Sequence, residues 1–121
     1  MRADKTQNRP QPKMTPQVQT VLKAFLEDPD TEHFGLDLIA ATGMLSGTVY
    51  PILARLEDAG WLHSHLVDVH YEDIGRRARR LFGLTPEGHE KARSALEAAQ
   101  KRAEDQRAKS QVRLLAESQP S

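Results

Sequence analysis

One segment in the middle of the chain, residues 46–62, contains a complete helix and the signals that bound it. Its apolar side chains recur at the spacing of a single helix face; they are Val49, Ile52, Leu53 and Leu56. Ser46 is the predicted N-cap, because a serine hydroxyl accepts a hydrogen bond from a free amide of the first turn. Gly60 can adopt the left-handed conformation that ends a helix. The segment therefore predicts a short helix that is buried on one side and is followed directly by a strand.

The other side of this helix is polar. Hydroxyl, phenol and guanidinium groups suit the phosphates and base edges of a DNA major groove. The predicted DNA-contacting residues of the helix are Ser46, Gly47, Thr48, Tyr50, Pro51 and Arg55. Arg55 is assigned to a phosphate, since it lies far from the N-terminal end that usually reads bases. The alternative is that Tyr50 and Pro51 form a structural corner.

The size and composition of the chain predict one small domain with tails. The chain has 121 residues, 38% of them apolar and none a cysteine. A core of roughly 70 residues can fold, but only marginally. The absence of cysteine excludes disulfides and thiolate metal sites and fits a reducing cytoplasm. No apolar run approaches the roughly 20 residues that span a bilayer, so a cytoplasmic protein with no membrane partner is expected.

The net charge is zero, but the charges are unevenly distributed. Residues 1–13 have a net charge of +3 and are predicted to be a disordered tail. Residues 14–75 have a net charge of −8, and the last 41 residues have +1. Between them lie four arginines within five residues: Arg76, Arg77, Arg79 and Arg80. Such a cluster is a candidate phosphate clamp; the alternative is a solvated turn.

Two further helices precede the central one. The first is predicted to start at Thr15-Pro16, a hydroxyl cap followed by proline at the first helical position. The second is predicted over residues 34–42 and ends at Gly43. Only two residues separate Gly43 from Ser46, so the second and central helices form a helix-turn-helix pattern.

A β-hairpin is predicted after the central helix. Its strands are residues 61–70 and 79–84, with the tip at residues 73–77. A hairpin that follows a helix-turn-helix is the wing of a winged helix. Since an isolated hairpin is only marginally stable, this one should pack on the helices through Leu62, Phe82 and Leu84. Trp61 is predicted to be a core residue.

The histidines of the first wing strand do not form an evident metal site. His63 and His65 share one strand face, whereas His70 lies on the other. A metal site needs three or four convergent ligands, so solvated histidines are favoured, and neither a metal nor a cofactor is expected. Asp28, Asp30 and Glu32 are interpreted as a solvated loop.

A last helix is predicted from Pro86 to about residue 117, followed by a short tail at residues 118–121. Its apolar face is narrow and consists of Ala92, Ala95, Leu96, Ala99 and Ala103. So small a core cannot cover so long a face, which predicts packing on a second copy of the chain. Because the face is rich in alanine, close antiparallel packing is favoured over a leucine zipper.

The chain resembles the PadR family of transcriptional regulators over about residues 15–95. The segments that carry the resemblance are FGLDLI (34–39), SGTVYPIL (46–53), RLE (55–57), GWL (60–62) and LTPEG (84–88). The resemblance implies winged-helix repressors that dimerise through the C-terminal helix and often the first helix, which adds Val18 and Leu22 to the predicted interface. It also implies a response to small aromatic ligands. The single C-terminal helix resembles the shorter subfamily, and the wing is more basic than is usual in the family.

Two functions remain open at this stage. The first is a homodimeric repressor that binds an inverted repeat with half-sites about one helical turn apart. It would consist of a winged helix-turn-helix domain over residues 14–85 and a dimerisation helix over residues 86–117. The second is a winged helix that binds another protein, as an adaptor or antirepressor, which the acidic body favours. An enzyme is not expected, because the chain has no nucleophile elbow, glycine-rich phosphate loop or paired-carboxylate signature.

Overall fold

The computed structural model describes residues 11–118. The predicted winged helix with a long last helix is confirmed. The elements in chain order are α1 (Pro16–Leu26), β1 (His33–Phe34), α2 (Gly35–Thr42), α3 (Ser46–Asp58), β2 (Leu62–Tyr71), β3 (Gly75–Leu84) and α4 (Pro86–Ser118). Most of the predicted N-terminal tail and residues 119–121 lie outside the described residues.

Within the described residues the sheet has three antiparallel strands in the order β1-β3-β2, not the two predicted. The extra strand, β1, consists of two residues, His33 and Phe34, which pair with Phe82 and Leu81 of β3. Two residues carry no periodic signal, and the sequence prediction therefore assigns Phe34 to the second helix. The hairpin tip is shorter than the predicted 73–77, because β3 already begins at Gly75, which has a φ of 78°.

One apolar core joins α1, α2, α3, the base of the hairpin and the start of α4. Its largest fully buried side chains include Trp61, Phe25 and Leu53. Leu62, Phe82 and Leu84 belong to the same cluster, which confirms that the hairpin is packed on the helices. The predicted core position of Trp61 is likewise confirmed.

The C-terminal end of α3 agrees with the sequence prediction, but its N-cap does not. Gly60 has a φ of 81° and follows the C-cap residue Ala59, at the predicted end of the helix. The predicted N-cap is wrong, because Leu45 occupies that position and Ser46 is already helical. The Leu45 carbonyl accepts from the amides of Thr48 and Val49, at 2.9 and 3.0 Å. The described chain provides no side-chain hydrogen bond that caps this end of α3.

The start of α4 is locked to the junction between α3 and β2. Thr85 Oγ1 accepts from the Gly88 amide at 2.8 Å and donates to the Gly60 carbonyl at 2.7 Å. Gly88 lies against the Trp61 backbone so closely that a Cβ there would stand 2.5 Å from the Trp61 carbonyl carbon. This contact sets the direction in which α4 leaves the core.

The second half of α4 extends beyond the core. Every residue from 100 to 117 is exposed, a length of about 27 Å at 1.5 Å per residue. Within residues 11–118, no single helix is both long and apolar enough to cross a membrane. Only α2 and α3 taken together pass that test of length and composition, and they are bent by 120°.

Candidate nucleic-acid interface

The outer surface of α3 contains most of the residues predicted to contact DNA. The buried face of this helix packs into the core through Val49, Ile52, Leu53 and Leu56. Ser46, Gly47, Pro51 and Arg55 are exposed on the other side, and Thr48 is half-buried. The structure therefore presents a polar N-terminal edge of α3 to solvent, with one cation farther along the helix.

Tyr50 has a packing role that the sequence did not reveal. Its side chain is 43% exposed, and its ring covers Gly35, the first residue of α2. A Cβ on Gly35 would lie 2.7 Å from the Tyr50 hydroxyl oxygen, so a larger residue there would require the ring to shift. Tyr50 thus sets the spacing between the two helices of the helix-turn-helix. This packing favours a structural role for the Tyr50 ring, the alternative to DNA contact.

The four arginines of the wing are divided between the two faces of β3. Since strand side chains alternate, Arg76 and Arg80 lie on the face of Phe82, which packs on the core. Arg77 and Arg79 lie on the opposite face. The sequence cluster is therefore not a single basic patch.

Arg79 and Arg80 are engaged within the protein. Arg79 is half-buried, donates to the Tyr71 hydroxyl and lies with its guanidinium 5.5 Å from the centre of the Phe34 ring. Arg80 donates to Ser64 Oγ at 3.0 Å, and that hydroxyl donates to a Glu57 carboxylate oxygen at 2.6 Å. This chain of hydrogen bonds ties the wing to the end of α3.

Arg76 and Arg77 are more available to a ligand. Both are exposed, and they follow Gly75 at the start of β3, beside the hairpin tip. The Arg77 guanidinium donates to the Arg76 carbonyl at 2.8 Å, a contact between neighbouring residues of β3. Of the four arginines, these two are the better placed to bind a phosphate of an approaching duplex.

Most of the residues predicted to form a dimer interface are instead buried within the chain. Val18, Leu22, Ala92 and Leu96 belong to the core cluster, Ala99 is buried, and Ala95 packs against the cluster. The first half of α4 covers the core with the same apolar face that was expected to meet a second copy. Of the predicted interface, only Ala103 is exposed.

Glu32 joins His63 and His65 into a cluster of three potential metal ligands. The sequence argument lacked a third convergent group and interpreted Glu32 as part of a solvated loop. In the structure Glu32 precedes β1 and reaches across β3, and its Oε2 atom is buried. Pairing of β1 with β3 brings these residues together, and no sequence spacing signals that pairing.

The fold is matched by comparison with known proteins. The chain matches the "Transcriptional regulator PadR-like family" over residues 31–94, more than half of its length. It belongs to the PadR-like family of transcriptional regulators. The members of this family are DNA-binding regulators of transcription and not enzymes. The matched region contains α2, α3, the wing and the start of α4, the elements that carry the predicted DNA contacts.

Solved structures of low sequence identity share the fold of this PadR-like chain. Bordetella bronchiseptica BpsR, whose DNA binding is regulated by 6-hydroxynicotinic acid, is 24% identical with a TM-score of 0.57 and covers 82% of this chain and 69% of its own. S. aureus MepR in complex with DNA is 20% identical with a TM-score of 0.52, over 87% of this chain and 81% of its own. The circadian clock associated protein Pex from Anabaena is 18% identical with a TM-score of 0.54, over 84% of this chain and 92% of its own. A search of curated proteins gave no match.

Proposed function

We propose that this PadR-like regulator is a homodimeric repressor that binds an inverted repeat through α3 and the tip of the wing. The observation that carries the proposal is the uncapped, exposed N-terminal edge of α3. Ser46 and Gly47 begin a 13-residue helix whose first turn receives no side-chain cap from the described residues. Free amides and the positive end of the helix dipole attract phosphate, so this edge supports docking on a DNA backbone.

The second half of α4 supports a dimer. Most of the stability of a protein helix comes from packing of its apolar face, and residues 100–117 are exposed beyond the core. Ala103 and Leu114 continue the stripe that Leu96 begins, since Leu114 follows Leu96 by five turns at 3.6 residues per turn. A second copy packed on this stripe would bury it. The two-fold symmetry of such a dimer predicts a palindromic operator.

A cavity beneath α3 supports the proposal of a small aromatic effector. The cavity has a volume of about 430 Å³ and lies between residues 11–15 and α3, with Val18, Ile52 and Leu56 in its wall. This size suits a small ligand, and Arg55 is also part of the lining. A ligand here would touch the helix that we propose to read DNA, so occupancy would change DNA affinity.

We expect the effector to raise the melting temperature of the protein. The screen would use a panel of hydroxybenzoic acids at increasing concentration, with the protein in ligand-free buffer as the reference. A binder should shift the melting temperature and also weaken binding to the selected operator. A panel that gives no shift at any concentration would contradict an aromatic effector of this class.

The main test is selection of tight binders from random-sequence duplex DNA at low and at moderate salt. Enrichment of an inverted repeat, with steep loss of affinity as salt rises, is the expected result. Analytical ultracentrifugation of the complex should give two chains per duplex. If the protein binds no duplex even at low salt, the winged helix must instead bind another protein, the function that its acidic body favours.

Replacing both Arg76 and Arg77 by alanine should weaken operator binding and flatten its salt dependence. Each lost phosphate contact lowers the slope of log K against log salt by about 0.9, so the pair should lower it by about 2. The matched control is Lys101→Ala with Lys109→Ala, which removes the same charge from exposed positions of α4. Equal slopes for the arginine variant and the wild type would contradict a role of the wing tip as a phosphate clamp.

A further inference from the structure

We propose that Glu32, His63 and His65 form a binding site for a divalent transition-metal ion such as Zn²⁺ at the base of the wing. One ligand atom from each of the three residues lies within 4.8 Å of the other two. Glu32 comes from the loop between α1 and β1, whereas the histidines come from β2. The site therefore joins two parts of the chain that are more than thirty positions apart in sequence.

The donor set and its spacing suit zinc. Two imidazoles and one carboxylate are an established combination for zinc with a fourth position open to water. His65 Nδ1 lies 3.2 Å from Glu32 Oε2, and His63 Nδ1 lies 3.9 Å from the same oxygen. Two ligands that are each about 2.0 Å from a tetrahedral ion stand about 3.3 Å apart. The first distance already fits, and the second needs only a small rotation of a half-exposed ring.

The Glu32 carboxylate lies beside the two imidazoles, but its buried Oε2 atom accepts no hydrogen bond from the described residues. A buried carboxylate oxygen without a hydrogen bond is costly. A cation held between this oxygen and the two rings would remove that cost.

Gly83 supplies the space in which the three side chains meet. It faces His63 in the β2–β3 register, and its backbone does not have a positive φ, so chain flexibility is not the reason for a glycine here. A Cβ at this position would lie 2.9 Å from His63 Nε2 and 3.1 Å from Glu32 Cγ. Glycine inside a strand often marks a close approach of a ligand or another segment, and here it lets Glu32 reach across β3.

The surroundings favour an exchangeable ion over a permanent one. The two imidazoles are about half exposed, and their rings are nearly parallel, with an angle of 8° between planes and 6.4 Å between centres. Solvent can therefore fill the remaining coordination position. The bound ion would cross-link the loop between α1 and β1 to β2, the first strand of the wing.

The test is metal titration of untagged, EDTA-treated protein, since a polyhistidine tag would itself bind zinc. Calorimetry with Zn²⁺ should show one ion per chain, and Co²⁺ should give the visible absorption bands of a protein-bound ion. Zinc should also raise the melting temperature relative to EDTA. Each of His63→Ala, His65→Ala and Glu32→Gln should weaken zinc affinity by at least about tenfold.

Two controls separate this site from adventitious binding at surface histidines. His70→Ala removes an exposed histidine from the opposite face of the same strand and should leave the affinity unchanged. Gly83→Ala retains all three ligands but inserts a methyl group between His63 and Glu32, so it should weaken zinc binding while circular dichroism shows a folded protein. Absence of stoichiometric binding to the wild type, or an equal loss in His70→Ala and His65→Ala, would overturn the proposal.

Discussion

Replacing Gly88 by alanine is expected to destabilise the protein by about 3 kcal/mol or more, since overpacking of this severity exceeds the usual range for one added methyl. The methyl group would lie 2.5 and 2.6 Å from the Trp61 carbonyl carbon and Cα. These are backbone atoms of a residue with a fully buried side chain, so neither can move aside cheaply. Either α4 would shift away from the core or its first turn would unwind, with loss of the cap from Thr85.

Urea unfolding followed by circular dichroism at 222 nm would measure the effect. The matched control is Gly47→Ala, because a Cβ on Gly47 meets nothing within 4 Å and alanine is the better helix former by up to about 1 kcal/mol. The control should therefore be as stable as the wild type or more so. Equal unfolding midpoints for the two variants would show that α4 does not depend on the close contact with Trp61.

The double substitution Ala103→Glu with Leu114→Glu is expected to convert the proposed dimer into a monomer. Both positions lie on the stripe of α4 that continues past the core, and Leu114 is 61% exposed in the single chain. Burying new carboxylates against a second apolar helix costs a few kcal/mol. The dimer dissociation constant should therefore rise by about 100-fold or more, since each 1.4 kcal/mol is a factor of ten.

Sedimentation velocity over a concentration series would give the dissociation constant, and operator binding would be measured on the same samples. Val112→Glu is the matched control. Val112 is 66% exposed and lies two residues from Leu114, about 160° around the helix from Leu96. The Val112→Glu variant should remain dimeric, and its helix content should equal that of the double variant at high protein concentration. A double variant that sediments as the wild type would place the dimer contacts elsewhere.

Features that depend on local chain chemistry were predictable from the sequence. The starts of α1 and α4 follow from a threonine cap and proline at Thr15-Pro16 and Thr85-Pro86, because a cap acts within one turn. The C-terminal ends of α2 and α3 follow from Gly43 and Gly60, which have φ values of 71° and 81°. The apolar periodicity of α3 correctly identified its buried face. Together with the PadR resemblance, these features predicted the winged helix.

Features that depend on which surfaces meet were not predictable from the sequence. The apolar stripe of α4 pointed to an interface, but a stripe does not say whether its own core or a second chain covers it; the structure shows that the core covers the first half. The wing arginines form one run in the sequence, yet strand alternation divides them between two faces, and hydrogen bonds and packing engage Arg79 and Arg80.

The sequence by itself determined the order of the helices and the two wing strands, the starts of α1 and α4, the C-terminal ends of α2 and α3, and the family, because capping, periodicity and motif are properties of neighbouring residues. Only the tertiary structure determined that a two-residue strand pairs with β3 and that Glu32 meets His63 and His65 above Gly83. That cluster requires three segments to lie side by side in one sheet. Such a juxtaposition results from strand pairing between distant parts of the chain, and no local pattern encodes it.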